Sequence, residues 1–96
     1  MIFLFIIGRP FRKYKWIDPG NDCEANKVIT TEGECKEAAK YLNNAYLHAT
    51  KGFDIPAGCF LSMAKLYFLF NTIIDPSKTN PTGPFSPNVT YAVCRT

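Results

Sequence analysis

The chain has 96 residues, of which 47% are hydrophobic and 20% charged, with a net charge of +3. That length holds one domain with a modest core, and that balance is globular, not disordered. A charge of +3 is too small to define a nucleic-acid binder on its own, so nucleic acid is not an expected partner.

In chain order, Met1–Ile7 is a short apolar run, M-I-F-L-F-I-I. It starts like a signal peptide but has no basic n-region and no small-residue cleavage site, and it is too short to span a bilayer as a helix. Two readings stay open for residues 1–12: an edge strand, or the remnant of a longer leader. Arg9, Arg12, Lys13 and Lys15 then alternate with Phe11, Tyr14 and Trp16. Such a patch suits an anionic lipid surface, a glycan or single-stranded nucleic acid. The same alternation fits an edge strand, with Tyr14 and Trp16 facing the core and Lys13 and Lys15 facing water. Asp18-Pro19-Gly20-Asn21-Asp22 is a turn that delivers the chain to Cys23.

Lys27–Thr30 reads as a short extended piece. Thr31 caps a helix, and Glu34 three residues on completes a capping box. Cys35, Ala38, Ala39, Leu42, Ala45 and Tyr46 share one helical face, so the helix is expected to fray only between Asn44 and His48. His48 reads as a solvated residue near the helix end. A loop over Ala49–Pro56 leads to two apolar strands, Gly58–Met63 and Leu66–Phe70, with Ala64-Lys65 as a turn or a bulge between them. Tyr67, Phe68 and Phe70 lie in the second strand. They are either buried on both faces or offered to a partner. Residues 75–88 carry Pro76, Pro81, Pro84 and Pro87 and form a surface loop. Asn88-Val89-Thr90 is a glycosylation sequon, and Val89–Arg95 is a closing strand.

Four cysteines, Cys23, Cys35, Cys59 and Cys94, are widely spaced, with no C-x-x-C and no histidine pairing at zinc spacing. Two disulfides in an oxidising compartment are the reading, against the alternative of four buried thiols. Of three connectivities, Cys35–Cys59 and Cys23–Cys94 are favoured, tying the helix to the sheet and the two ends together. Each closure contributes roughly 3–5 kcal/mol if chain entropy dominates. The expected fold is therefore α+β: one amphipathic helix on a small antiparallel sheet of three to five strands, with residues 1–96 forming a single disulfide-stabilised domain.

The motifs Trp16-Ile17…Gly20…Cys23, Glu34-Cys35…Ala38-Ala39…Leu42, Pro56…Gly58-Cys59…Tyr67-Phe68…Asn71 and Val93-Cys94-Arg95 together resemble a small cysteine domain of predicted dinoflagellate and other algal proteins. The resemblance covers residues 14–96 and is carried mainly by E-C-x-x-A-A-x-x-L and the later G-C and Y-F elements. Here Leu69-Phe70 separates Tyr67-Phe68 from Asn71, a departure that puts the equivalence of Asn71 in question. That domain has no assigned activity, so the resemblance implies a source and a fold. The layout is also similar to the apple (PAN) module, whose members mostly bind proteins or glycans. This second likeness is an analogy of fold.

Nucleophilic catalysis needs a base beside its nucleophile, and the chain has one histidine and no G-x-S-x-G. The eight acids fall mostly in turns or on the outer helix face, which does not suit paired-carboxylate hydrolysis. No phosphate loop, calcium loop or metal spacing is present in the sequence, so no cofactor and no metal are expected. The expectation is a non-catalytic interaction or structural subunit in a secreted or thylakoid-lumen setting, in one form an accessory subunit of a large membrane complex such as an algal photosystem. The alternative is a lectin-like or anionic-surface module using Arg9–Trp16, with Arg12, Lys13, Lys15 and Trp16 as its contacts and a glycan or membrane surface as its partner.

Overall fold

The computed structural model describes residues 13–62, 67–81 and 90–96. Among these residues five strands and one α-helix follow in order: β1 (Tyr14–Trp16), α1 (Glu32–Tyr41), β2 (Ala45–Thr50), β3 (Gly58–Leu61), β4 (Tyr67–Asn71) and β5 (Tyr91–Arg95). The strands form one sheet in the order β1-β5-β3-β4-β2. Three of the four pairings are antiparallel, and β2 runs parallel to β4. The α+β class, the single helix and both disulfides are as the sequence implies. The sheet is mixed, however, because it gains a strand that the helical periodicity concealed.

The helix starts where its cap predicts. Thr31 is extended, and its Oγ1 accepts the Glu34 backbone N–H at 3.2 Å. Only half of the capping box forms, because the Glu34 carboxylate turns away to Arg95 and Tyr14 instead of reaching back to Thr31. The helix stops at Tyr41, earlier than periodicity suggests. Asn43 takes a left-handed φ of 61°, a conformation asparagine tolerates better than most residues. The Leu42, Asn43 and Asn44 amides cap the last turn on the carbonyls of Ala38, Lys40 and Ala39. Ala45 and Tyr46 therefore lie on β2, and His48 is an exposed strand residue. Its Nδ1 sits 2.9 Å from the Ala49 carbonyl oxygen.

Each face of the sheet has its own core and its own disulfide. On one face, α1 packs Cys35, Ala38 and Ala39 against Tyr14, Cys59, Leu61, Phe68, Phe70 and Val93. The small Ala38-Ala39 pair allows this close approach, and Cys35–Cys59 closes it covalently. On the other face, the segment leading from Ile17 to Val28 covers Ala57, Ala92 and Cys94, and Cys23–Cys94 holds it there. Strand alternation explains the division: Val93 joins the first cluster, while its neighbours Ala92 and Cys94 join the second. Of Lys27–Thr30, expected to be extended, Lys27 ends a 3₁₀ turn at Ala25–Lys27, whereas Val28 is extended and makes one bridge, to Cys94. Burying a Phe68- or Leu61-sized side chain contributes about 1.5–3 kcal/mol.

Asn71 explains how the loop after β2 is held. It is fully buried at the end of β4. Its Nδ2 donates to the carbonyls of Gly52 and Pro56 at 2.9 and 3.0 Å. Its Oδ1 accepts from the amides of Gly52 and Ile73 at 3.2 and 3.1 Å. One side chain thus satisfies four backbone groups, the Pro56 carbonyl among them buried.

Candidate functional site

Two surfaces flank this framework. The first begins on β1, which pairs among the described residues with β5 alone and so lies at a sheet edge, as expected. Tyr14 is buried under α1, whereas Trp16, two residues on and on the same face, passes beyond the cover of the helix and is exposed. The expectation that both rings enter the core holds for Tyr14 only. Trp16 instead shares a depression of about 420 Å³ with Tyr14, Tyr41, Leu42 and Asn43. Tyr41 is held from two sides. Its ring meets Tyr14 edge-on at 5.7 Å, and its hydroxyl accepts the Lys13 amide at 3.2 Å.

Beneath this depression a charged cluster joins three elements. The Arg95 guanidinium donates twice to Glu34, Nε to Oε2 at 2.9 Å and Nη2 to Oε1 at 2.6 Å. The Tyr14 hydroxyl donates to the same Oε2 at 3.2 Å. The Arg95 hydrogen bonds hold the Glu34 carboxyl below its ordinary range, against the opposing effect of its burial. Burial first, then the Glu34 charge, pushes the Tyr14 phenol up to about 12. Lys13 adds an exposed pair with Glu37 at 3.2 Å. Exposed pairs of this kind contribute little.

The second surface lies along β2, which among the described residues pairs with β4 alone. The register slips between Tyr46 and Ala49, so Leu47 and His48 sit in a bulge and face outward. Leu47 is 50% exposed, Phe53 62% and Ile74 42%. The backbone brings their segments together: the Thr72 amide donates to Thr50 at 2.9 Å, and the Asn80 amide to Phe53 at 2.6 Å. Tyr46 anchors the strand to the helix through a 2.7 Å hydrogen bond to Glu32, and burial followed by that bond raises its phenol. Lys36 lies 5.6 Å above the same ring.

The sequence-derived contact residues separate between core and surface. Lys13, Lys15 and Trp16 are exposed on or beside β1. Phe68 and Phe70 point under the helix and are buried, and Tyr67 is half-buried, so this run is core and not a contact surface. The helix explains why: α1 packs over the face of β4 that carries Phe68 and Phe70. Arg12 and Asn88 lie outside the described residues, as do residues 82–88 of the proline-rich segment. Leu47, Phe53, Ile74, Tyr41 and Asn43 were not singled out by sequence reasoning. Phe53, an aromatic residue inside a loop bounded by Gly52 and Pro56, was the one signal available.

Among the described residues, no group of three His, Cys, Asp or Glu side chains is placed to hold a metal, and no helix is long and apolar enough to cross a membrane. Two formed disulfides are characteristic of an oxidising compartment. No profile of a known protein family, no curated protein and no solved structure matches this chain.

Proposed function

We propose that this chain is a non-catalytic interaction and structural subunit of an oxidising, secreted or organelle-lumen setting, seated in a larger assembly through the β2 edge. The observation that supports it is the exposure of three apolar side chains, Leu47 on β2, Phe53 after it and Ile74 after β4, together with a β2 strand that pairs with β4 alone among the described residues. Apolar residues gathered at a strand edge suit a protein neighbour, which gains both backbone pairing and apolar burial there. The resemblance to algal cysteine domains makes an accessory subunit of a photosynthetic membrane complex the concrete form of this proposal. Native extraction tests it. The chain should migrate well above its own 10.8 kDa, and Leu47→Asp with Phe53→Asp should release it while both disulfides still form. Migration of the wild-type chain alone at 10.8 kDa would refute the reading.

A second reading has its own support in the depression walled by Trp16 and Tyr41, with Lys13 beside it. An exposed aromatic platform near cations suits a glycan or an anionic surface. Trp16 is the single tryptophan, so its fluorescence reports directly on that site. Titration with neutral and anionic oligosaccharides and with anionic vesicles should shift the emission and lose the shift in Lys13→Ala. An unchanged spectrum across all three removes this reading and leaves the first untouched.

A further inference from the structure

The two disulfides stand in different surroundings. Cys35 and Cys59 are both 0% exposed, closed in between α1 and β3. Cys23 and Cys94 retain 5% and 3% exposure and line a surface depression of about 170 Å³, together with Lys15, Ile17, Asp22, Glu24 and Lys27. Lys15 is the direct cross-strand partner of Cys94, which puts both side chains on one face of the sheet. Two ammonium groups, Lys15 and Lys27, share this depression with the carboxylates of Asp22 and Glu24.

We propose that Cys23–Cys94 is a thiol-exchange site, opened and closed by a dithiol reagent or dithiol protein while Cys35–Cys59 stays closed. A thiolate of the dithiol attacks Cys23 Sγ, which lies in a loop outside the strands. The Sγ–Sγ bond breaks, and its electron pair leaves on Cys94 Sγ, the sulfur facing Lys15. The second thiolate of the dithiol then closes on its own partner sulfur and expels Cys23 as a thiolate. Two electrons pass from the dithiol to this chain, and the two cysteines take up the two protons the dithiol loses.

The fold survives this step because other bonds hold the same elements. β5 keeps its pairing with β1 and β3 and its double hydrogen bond to Glu34. The Ile17 amide keeps its bond to the Ala92 carbonyl at 3.0 Å. Between Asp18 and Lys27, however, the chain loses its covalent tie. Asp22 lies next to Cys23, and its carboxylate accepts from the Ala57 amide at 2.8 Å and the Thr79 hydroxyl at 2.9 Å. Opening the bond therefore loosens the loops around Ala57 and Thr79 and leaves the helix face unchanged. The inference rests on accessibility and not on the proposed contact function.

The test is graded treatment of the native full chain with dithiothreitol, followed by acid quenching, alkylation and mass mapping. Labels should appear at Cys23 and Cys94 about ten-fold or more faster than at Cys35 and Cys59, because the inner pair waits for a larger opening. In concentrated urea the two bonds should open at similar rates. Lys15→Gln should slow opening of the outer bond about three-fold, through the poorer leaving thiolate, and leave the inner bond unaffected. Hydrogen exchange in the singly reduced form should rise around Ala57 and Thr79 and not in α1. Opening of both bonds together, of the inner one first, or of neither under native conditions overturns the proposal. So does selectivity that persists in urea, or an exchange increase that spreads through α1.

Discussion

Glu34 and Arg95 meet through two parallel hydrogen bonds, at 2.9 and 2.6 Å, between the first turn of the helix and the end of the inner strand β5. The pair fixes where α1 sits along the sheet, because the two residues are 61 apart in sequence and the geometry is a fork that only a guanidinium fills. Arg95→Lys keeps the charge and loses the fork. It should cost about 1 kcal/mol, a value kept small because both side chains are partly exposed to solvent. Urea unfolding checks it, and a midpoint equal to wild type would show that charge alone suffices.

The same pair sets a pH dependence. The folded Glu34 carboxyl titrates below its ordinary value of 4.5, chiefly through the Arg95 hydrogen bonds. The unfolded chain therefore binds more protons in this range. The stabilisation is fully present above pH 4.5 and is lost as pH falls through the lower folded value. Tyr14 acts at the other end. With its phenol raised to about 12 from 10.0, the folded chain holds the proton longer. That contribution is present below pH 10 and is lost as pH rises towards 12. Unfolding midpoints of wild type and Glu34→Gln should converge as the pH falls through the lowered Glu34 value, and Tyr14→Phe should flatten the alkaline limb.

Asn71→Asp is nearly isosteric but has no amide donors. It leaves the Gly52 and Pro56 carbonyls without partners and places a charge in a buried site. The expected loss is about 3 kcal/mol or more. Hydrogen exchange should show the loop between Gly52 and Pro56 opening well before global unfolding. Asn71→Ala should loosen the same loop, and an effect spread evenly over the sheet would contradict the assigned role.

Gly58 begins β3 with a φ of 72°. A Cβ there would collide with the Ile29 carbonyl oxygen and come within 2.8 Å of Val28 Cγ1. Gly58→Ala should cost about 2–3 kcal/mol, from the left-handed backbone and from the displaced segment together. The control is Gly33→Ala in α1, where the added carbon meets nothing within 4 Å. That change should stabilise by roughly 0.5–1 kcal/mol, and thermal melts of the two variants should move in opposite directions.

Much of this architecture is legible in the residues themselves. The Thr31 cap, the Cys35-Ala38-Ala39 stripe, the apolar runs before and after Ser62 and the alternating end of the chain are local signals, and local signals place α1, β3, β4 and β5. The cysteine pairing followed from asking which elements needed tying. The end of the helix was not legible, because Leu42, Ala45 and Tyr46 continue the helical spacing, while the decision to stop rests on Asn43 and on β4 waiting as a parallel partner for β2. Strand formation there is set by tertiary pairing, which local preference cannot reveal. The surface was harder still. Tyr67, Phe68 and Phe70 look like a contact patch until α1 is known to cover Phe68 and Phe70, and Leu47 and Phe53 stand out only once the fold leaves them exposed. Trp16 alternates correctly, but only the length of the helix shows that nothing covers it fully.

The outer cross-link spans 71 residues and encloses the inner one, which spans 24. A peptidase that nicks the chain once anywhere between Cys23 and Cys94 therefore leaves both fragments joined. Nicked and whole molecules will co-migrate on a denaturing gel until a reductant is added, so an intact band without reductant says nothing about whether the backbone is continuous.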